Sequence, residues 1–243
     1  MIKNFVAAFM LLWAAVSTPA FAQEKGAVRP GFSAESLKGE KILLLRPSVW
    51  VGSQSAGGTA TPNADWTAQA RDFMTSELEL RKPGFTTQIV VEPDLVGADA
   101  ALVSGYKVLF AAVSSSVVNY QFFAGNRLPT RKNKAFDWTL GSGTKRLADL
   151  TGAKYGLFIY TRDEYGSTGR KLLQFFAAGL AGISVKSGNH FGHAGLVDLT
   201  TGELVWLNAD FQMGGDVRTA DGMNKRVGQL LEDFPGITAP RVQ

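Results

Sequence analysis

The chain of 243 residues contains no cysteine. That excludes disulfides, thiolate zinc sites, iron–sulfur ligation, a cysteine nucleophile and a lipid-modified N-terminal cysteine. Histidine occurs only twice, at His190 and His193. Charge is sparse: 19% of residues are charged, the formal net charge is +4, and no dense Lys/Arg run is present. A nucleic-acid partner is therefore not expected. No G-x-S-x-G nucleophile elbow occurs. Apolar residues are not scarce. At 45% they exclude wholesale disorder, and packing alone can hold a chain of this length as one domain.

Residues 1–22 read as an address. Lys3 supplies a positive start, Phe5 to Val16 are continuously apolar, and Ala20-Phe21-Ala22 offers a small-x-small cleavage site. This is the pattern of a cleavable secretory signal peptide, and its apolar run is short for a membrane span. The expected compartment is the periplasm of a Gram-negative bacterium, with peripheral membrane association open. Loss of Lys3 with the leader lowers the net charge from +4 to +3.

Residues 23–40 are polar and Pro/Gly-punctuated, and read as a flexible lead-in. Lys41 to Val51 is an apolar β-rich run in which Pro47 predicts a bend or an edge. Gly52 to Asn63 is a small-residue loop. Asp65 to Leu80 has helical periodicity, with Asn63 as N-cap and Pro83-Gly84 as stop. Phe85 to Glu92 reads as a strand. Asp99 to Phe123 is long enough to span a bilayer, but Lys107, Asn119 and Ser114 to Ser116 favour a core helix. Ala124 to Ala135 is a basic loop. Asp137 is placed as the cap of a helix through Leu150, closed by Gly152. Tyr155 to Tyr160 is apolar on both faces, hence a central strand, followed by a polar loop over 161–169. Lys171 to Val185 is apolar and rich in small residues. A hairpin turns at Thr200-Thr201-Gly202, and a final helix runs from Thr219 to Phe234. The order predicts one α/β sandwich domain over 41–235. It has a mixed sheet with helices packed on it, a C-terminal hairpin, a closing helix and a tail from 236 to 243.

Few residues carry chemistry. His190 and His193 are three apart at the entry to a strand, where they point to opposite faces, so they are poor candidates for a shared metal. Gly141 to Lys145 lacks phosphate-loop spacing and reads as a helix-starting turn. Asp163, Glu164, Asp198 and Asp210 are loop and hairpin acids whose convergence a sequence does not reveal. No catalytic residue, cofactor or metal is assigned. The interaction candidates are Phe175, Phe176, Leu180 and Ile183, in a stretch whose glycines and alanines permit close approach. Arg131 and Lys132 form a second, basic patch.

Leu147 to Phe158 resembles the helix-to-strand step of the CsgG / LpoB / TolB-N-terminal-like family of envelope proteins. Leu196-Val-Asp-Leu-Thr-Thr-Gly-Glu-Leu-Val-Trp206 resembles that family's hairpin. The resemblance implies a periplasmic α/β domain used for protein–protein contact, usually lipid-anchored. This chain has no cysteine to carry the anchor. Sequence and resemblance together lead to the expectation of an exported, non-enzymatic adaptor that binds an envelope protein and forms a homo-oligomer. A small-ligand-binding module or a hydrolase, with Asp163 or His193 in its cleft, is the alternative.

Overall fold

A computed structural model describes residues 24–130, 135–171 and 188–237. In chain order the strands are β1 Glu24–Val28, β2 Lys41–Leu44, β3 Ser48–Gln54, β4 Ala60–Pro62, β5 Gln88–Val91, β6 Tyr155–Gly166, β7 Gly188–Asp198 and β8 Leu204–Asp210. The helices are α1 Ala64–Arg81, α2 Gly97–Val117, α3 Lys145–Thr151 and α4 Ala220–Leu230. One open mixed sheet runs β1-β8-β7-β6-β2-β5, with β3 also on β6 and β4 on β3.

Strand β6 is the spine. It pairs antiparallel with β7 over its length and parallel with both β2 and β3. Leu44 stands opposite Leu157 and Ser48 opposite Tyr160, so four steps on one side face three on the other. The extra residue falls at Leu45-Arg46-Pro47. Proline cannot donate to the ladder, and the run 41–54 breaks there into two strands.

Helices cover both faces. On one, α1 and α4 bury Met74, Leu78, Val227 and Leu230 against Leu157, Ile159, Leu196 and Trp206. On the other, α2 and α3 bury Phe110, Val117 and Leu147 against Leu43, Phe158, Val197 and Leu207. Asn63 accepts from the Trp66 N–H and Thr219 from the Gly222 N–H, so both predicted caps are in place. The predicted mixed sheet, C-terminal hairpin and closing helix are all present.

Four local expectations are corrected. The small-residue run over 52–63 is not all loop, because β3 continues to Gln54 and turns back as β4, with Gly52 opposite Pro62 and Gln54 opposite Ala60. Residues 24–28 of the lead-in are an edge strand, paired antiparallel with β8 from Glu24 opposite Asp210 to Val28 opposite Trp206. The polar run after Tyr160 is not a loop, because β6 continues to Gly166. The helix expected from Asp137 begins only at Lys145, after a 3₁₀ turn over Ser142–Thr144. Residues 138–140 instead attach to the hairpin turn: Leu140 N–H donates to Gly202 O, and Leu204 N–H to Trp138 O. Trp138 and Leu140 are buried there, and Gly141 (φ 84°) turns the chain into α3.

Candidate functional site

Strand alternation separates the two histidines. His190 stands opposite Asp163 and His193 opposite Tyr160, on different faces of the sheet. Among the described residues, no group of three or more His, Asp or Glu comes together to hold a metal ion.

Asp163 sits on the α4 side with no side-chain exposure. Its Oδ1 lies 2.7 Å from Arg226 Nη2, equally buried, and 2.9 Å from His190 Nδ1. Arg226 also donates to the carbonyls of Gly214 and Gly215. A carboxylate held by a buried guanidinium is a structural anchor rather than a free base. Beside it, Tyr165 OH accepts from the Val217 N–H, and Arg218 lies 3.8 Å from the Tyr165 ring centroid. Burial pushes the Tyr165 phenol up, while the Arg218 guanidinium holds the Asp216 carboxyl well below the usual range. On the opposite face, Glu164 accepts from Gln54, Arg162 and Asn189. Both adjacent acids are thus internally paired.

His193 pairs with Ser114 of α2, Oγ to Nδ1 3.0 Å. A serine beside an imidazole is the first requirement for an activated nucleophile. Here Ser114 has no exposure and His193 only 2%, so no substrate reaches either. Burial lowers the His193 pKa to about 4, leaving the ring neutral at physiological pH. No sequence spacing links residues 114 and 193, and this pair escapes sequence reasoning. Asp163 and His193 do not share a cleft.

An open groove lies at the β2–β3 break. It encloses about 500 Å³ between Arg46, Trp50, Arg71, Glu92, Lys107 and Tyr160. Lys107 Nζ lies 2.6 Å from the buried Glu92 carboxylate, which also accepts from the Arg46 N–H.

The most unusual surface is the outer side of α2. Residues 97–122 form a 26-residue helical stretch whose most apolar 18-residue window has a mean hydropathy of 1.6, long and apolar enough to cross a membrane. Its inner side is core, as predicted, through Val103, Phe110, Ser114, Val117 and Val118. Only 28% of the most apolar window is buried, however. Val108 is 69% exposed and Leu109 39%, flanked by exposed Ala101, Gly105 and Ala112. The helix's two charges are turned to ion pairs, Asp99 with Arg146 and Lys107 with Glu92. An uncharged apolar strip therefore faces water.

The interaction candidates Phe175, Phe176, Leu180, Ile183, Arg131 and Lys132 lie outside the described residues. No protein-family model and no curated protein matches the sequence. Among solved structures, the chain is similar to the dodecamer of a single-site variant of PelC from Paraburkholderia phytofirmans. Identity is 11% and the TM-score 0.40, over 88% of this chain and 99% of that one. A second crystal form of the PelC dodecamer gives 11% and 0.35, over 85% and 95%. Lipoprotein GNA1162 from Neisseria meningitidis gives 14% and 0.30, over 79% and 96%.

Proposed function

We propose that this chain is an exported, non-enzymatic interaction protein of the bacterial envelope that docks onto a protein surface through the outer side of α2. That partner is an envelope protein or a further copy of the chain. The observation that carries the reading is the strip of Ala101, Gly105, Val108, Leu109 and Ala112, exposed and free of charge. Small residues between larger apolar ones let a second surface approach the helix closely. The leader over 1–22 and the resemblance of residues 147–206 to the CsgG / LpoB / TolB-N-terminal-like envelope family support the location. The inward pairing of Asp163 and Glu164 and the burial of Ser114 and His193 agree with a non-enzymatic role. Residues 172–183 and the pair Arg131 and Lys132 belong to the proposed contact surface as second elements.

The test is cross-linking in intact cells followed by mass spectrometry of what copurifies, with light scattering of the purified mature chain. A reproducible envelope partner or a defined oligomer is expected. Val108→Glu/Leu109→Glu should abolish it, because two charges would be buried in the contact. A clean monomer without a partner above background would overturn the reading. The groove at Arg46 and Trp50 supports a second reading, a small-ligand-binding module, and there a ligand would raise the melting temperature by selective binding to the native state.

A further inference from the structure

Strand β3 pairs with β6 on one side, and most of what its other side offers is taken. Val51 N–H donates to Thr67 Oγ1 of α1, and Val51 O accepts from the Asn63 N–H and the Thr67 hydroxyl. Ser53 stands opposite Thr61 of β4. Ahead of Pro47, the Arg46 N–H donates to Glu92 Oε2, just past β5. Val49 lies between these points. The β3–β6 register is unbroken from Ser48 to Gln54, so Val49 turns its N–H and C=O the same way as Val51, away from β6. Among the described residues neither group has a partner. The sheet is thus open at one strand position. β5 runs beside β2 and ends at Val91, and β4 covers β3 from Gly52 to Gln54. The open stretch, Ser48 to Val51, is about 10 Å long at about 3.3 Å per step.

The groove of about 500 Å³ at the β2–β3 break occupies this position, and Val49 lines it. Arg71, one turn after Thr67 on α1, lines it from one face of the sheet. Lys107 of α2, Trp50 and Tyr160 line it from the other. Its charges do not cancel. Glu92 is the acid of the lining, and it is buried against the Arg46 N–H and Lys107 Nζ. Asp94, outside the lining, pairs with the Arg46 guanidinium. Arg71 is exposed, and its guanidinium has no partner among the described residues. An unpaired cation therefore stands beside an unpaired backbone donor and acceptor.

We infer that the groove takes an extended acidic peptide of a partner protein, added as a short strand beside β3. The peptide backbone bonds to the N–H and C=O of Val49, and one of its carboxylates meets Arg71. Strand addition draws its affinity from main-chain groups of this kind at an open sheet edge. The cation selects the sign of the peptide. A small anion would engage Arg71 and leave Val49 unused, whereas an extended acidic peptide engages both. The inference rests on the second reading above, that this groove binds a ligand, and names the class of that ligand. It does not depend on the docking strip of α2.

The test passes a pool of N-acetylated pentapeptides, holding every order of Val, Thr and Glu, over the immobilised mature chain, residues 23–243. Mass spectrometry identifies what is retained. Retention is expected, and a pool with Lys in place of Glu should pass through. The best-retained peptide is then made with single N-methyl groups. Methylation at the position that bonds Val49 should weaken binding about tenfold, and methylation at either neighbour should not, because neighbouring N–H groups point away from β3. Arg71→Glu should weaken binding severalfold without moving the melting temperature of the free chain, and Arg71→Lys should retain most of it. Val108→Glu/Leu109→Glu should bind peptide as the unmodified chain does. No retention from the Glu pool, equal retention of both pools, or equal effects of N-methylation at every position would each overturn the inference. If no peptide is retained, yet glutarate raises the melting temperature of the unmodified chain and not of Arg71→Glu, the peptide is overturned while the small-ligand reading stands.

Discussion

Asp163 and Arg226 meet with neither side chain exposed. Each charge has left water, and the pair repays that only while both partners remain. Asp163→Leu should strand the guanidinium, Arg226→Met should strand the carboxylate, and either should cost about 3–5 kcal/mol. Asp163→Leu/Arg226→Met should cost clearly less than the two singles summed, because no unpaired charge is left. Urea midpoints of the four chains decide this. His193 makes a separate, pH-dependent contribution. Its folded pKa of about 4 lies below the ordinary 6.5, so the unfolded chain takes up this proton first as pH falls. The stabilisation from keeping the ring neutral is complete above pH 6.5 and is lost between 6.5 and 4, about 3 kcal/mol in all. The loss of stability from about pH 7 to about pH 4.5, measured by urea unfolding, should be smaller in His193→Gln than in the unmodified chain. Equal losses would show that the burial of His193 does not govern this range.

Elements were legible where local chemistry punctuates them. Asn63 and Thr219 cap α1 and α4 by side-chain acceptance, and Pro83-Gly84 and Gly152 end helices for reasons any chain context shares. Illegible elements depend on distant partners. The polarity of Thr161 to Gly166 reflects the ion pair of Asp163 with Arg226 and the hydrogen bond that Glu164 accepts from Asn189, which the sequence shows only as polarity. Asp137 to Gly141 has helical spacing, yet its backbone bonds go to the hairpin turn more than sixty residues away. Helix α2 was legible in extent but not in phase. When nearly every residue is apolar or small, periodicity does not say which side is buried, and so the exposed strip stayed hidden. Adjacent residues on α2 should therefore behave differently. Phe110→Ala removes a ring stacked on Phe158 at 5.1 Å and should cost about 3–5 kcal/mol. Val108→Glu/Leu109→Glu should change the unfolding free energy by about 0.5 kcal/mol or less per site. Thermal and urea unfolding of the monomeric variants would check this contrast, and a large loss in the double variant would mean that the strip is packed.

At the scale of the whole molecule, the described residues build two cores, one on each face of the sheet. One runs from Leu37 and Ile42 through Trp206 to Phe234, the other from Leu43 through Phe110 to Leu207. The β6–β7 ladder is registered residue by residue from Tyr155 opposite Asp198 to Tyr165 opposite Gly188. Beyond it, Lys171 N–H returns to Ser167 O, and Arg170 reaches Ser55 O. Stability should therefore be separable from residues 172–187. Replacing them with a Gly/Ser linker of equal length keeps every described residue of the ladder, of the two cores and of the Asp163–Arg226 pair. Loop-closure entropy changes little when the length is unchanged. The expected result is a melting temperature within a few degrees of the unmodified chain, with weakened capture of the partner. If the linker chain instead fails to fold, the apolar run over 172–183 contributes to the core, and Phe175, Phe176, Leu180 and Ile183 are withdrawn as contact residues. If it folds and captures the partner undiminished, residues 172–183 are withdrawn from the contact and the α2 strip carries it.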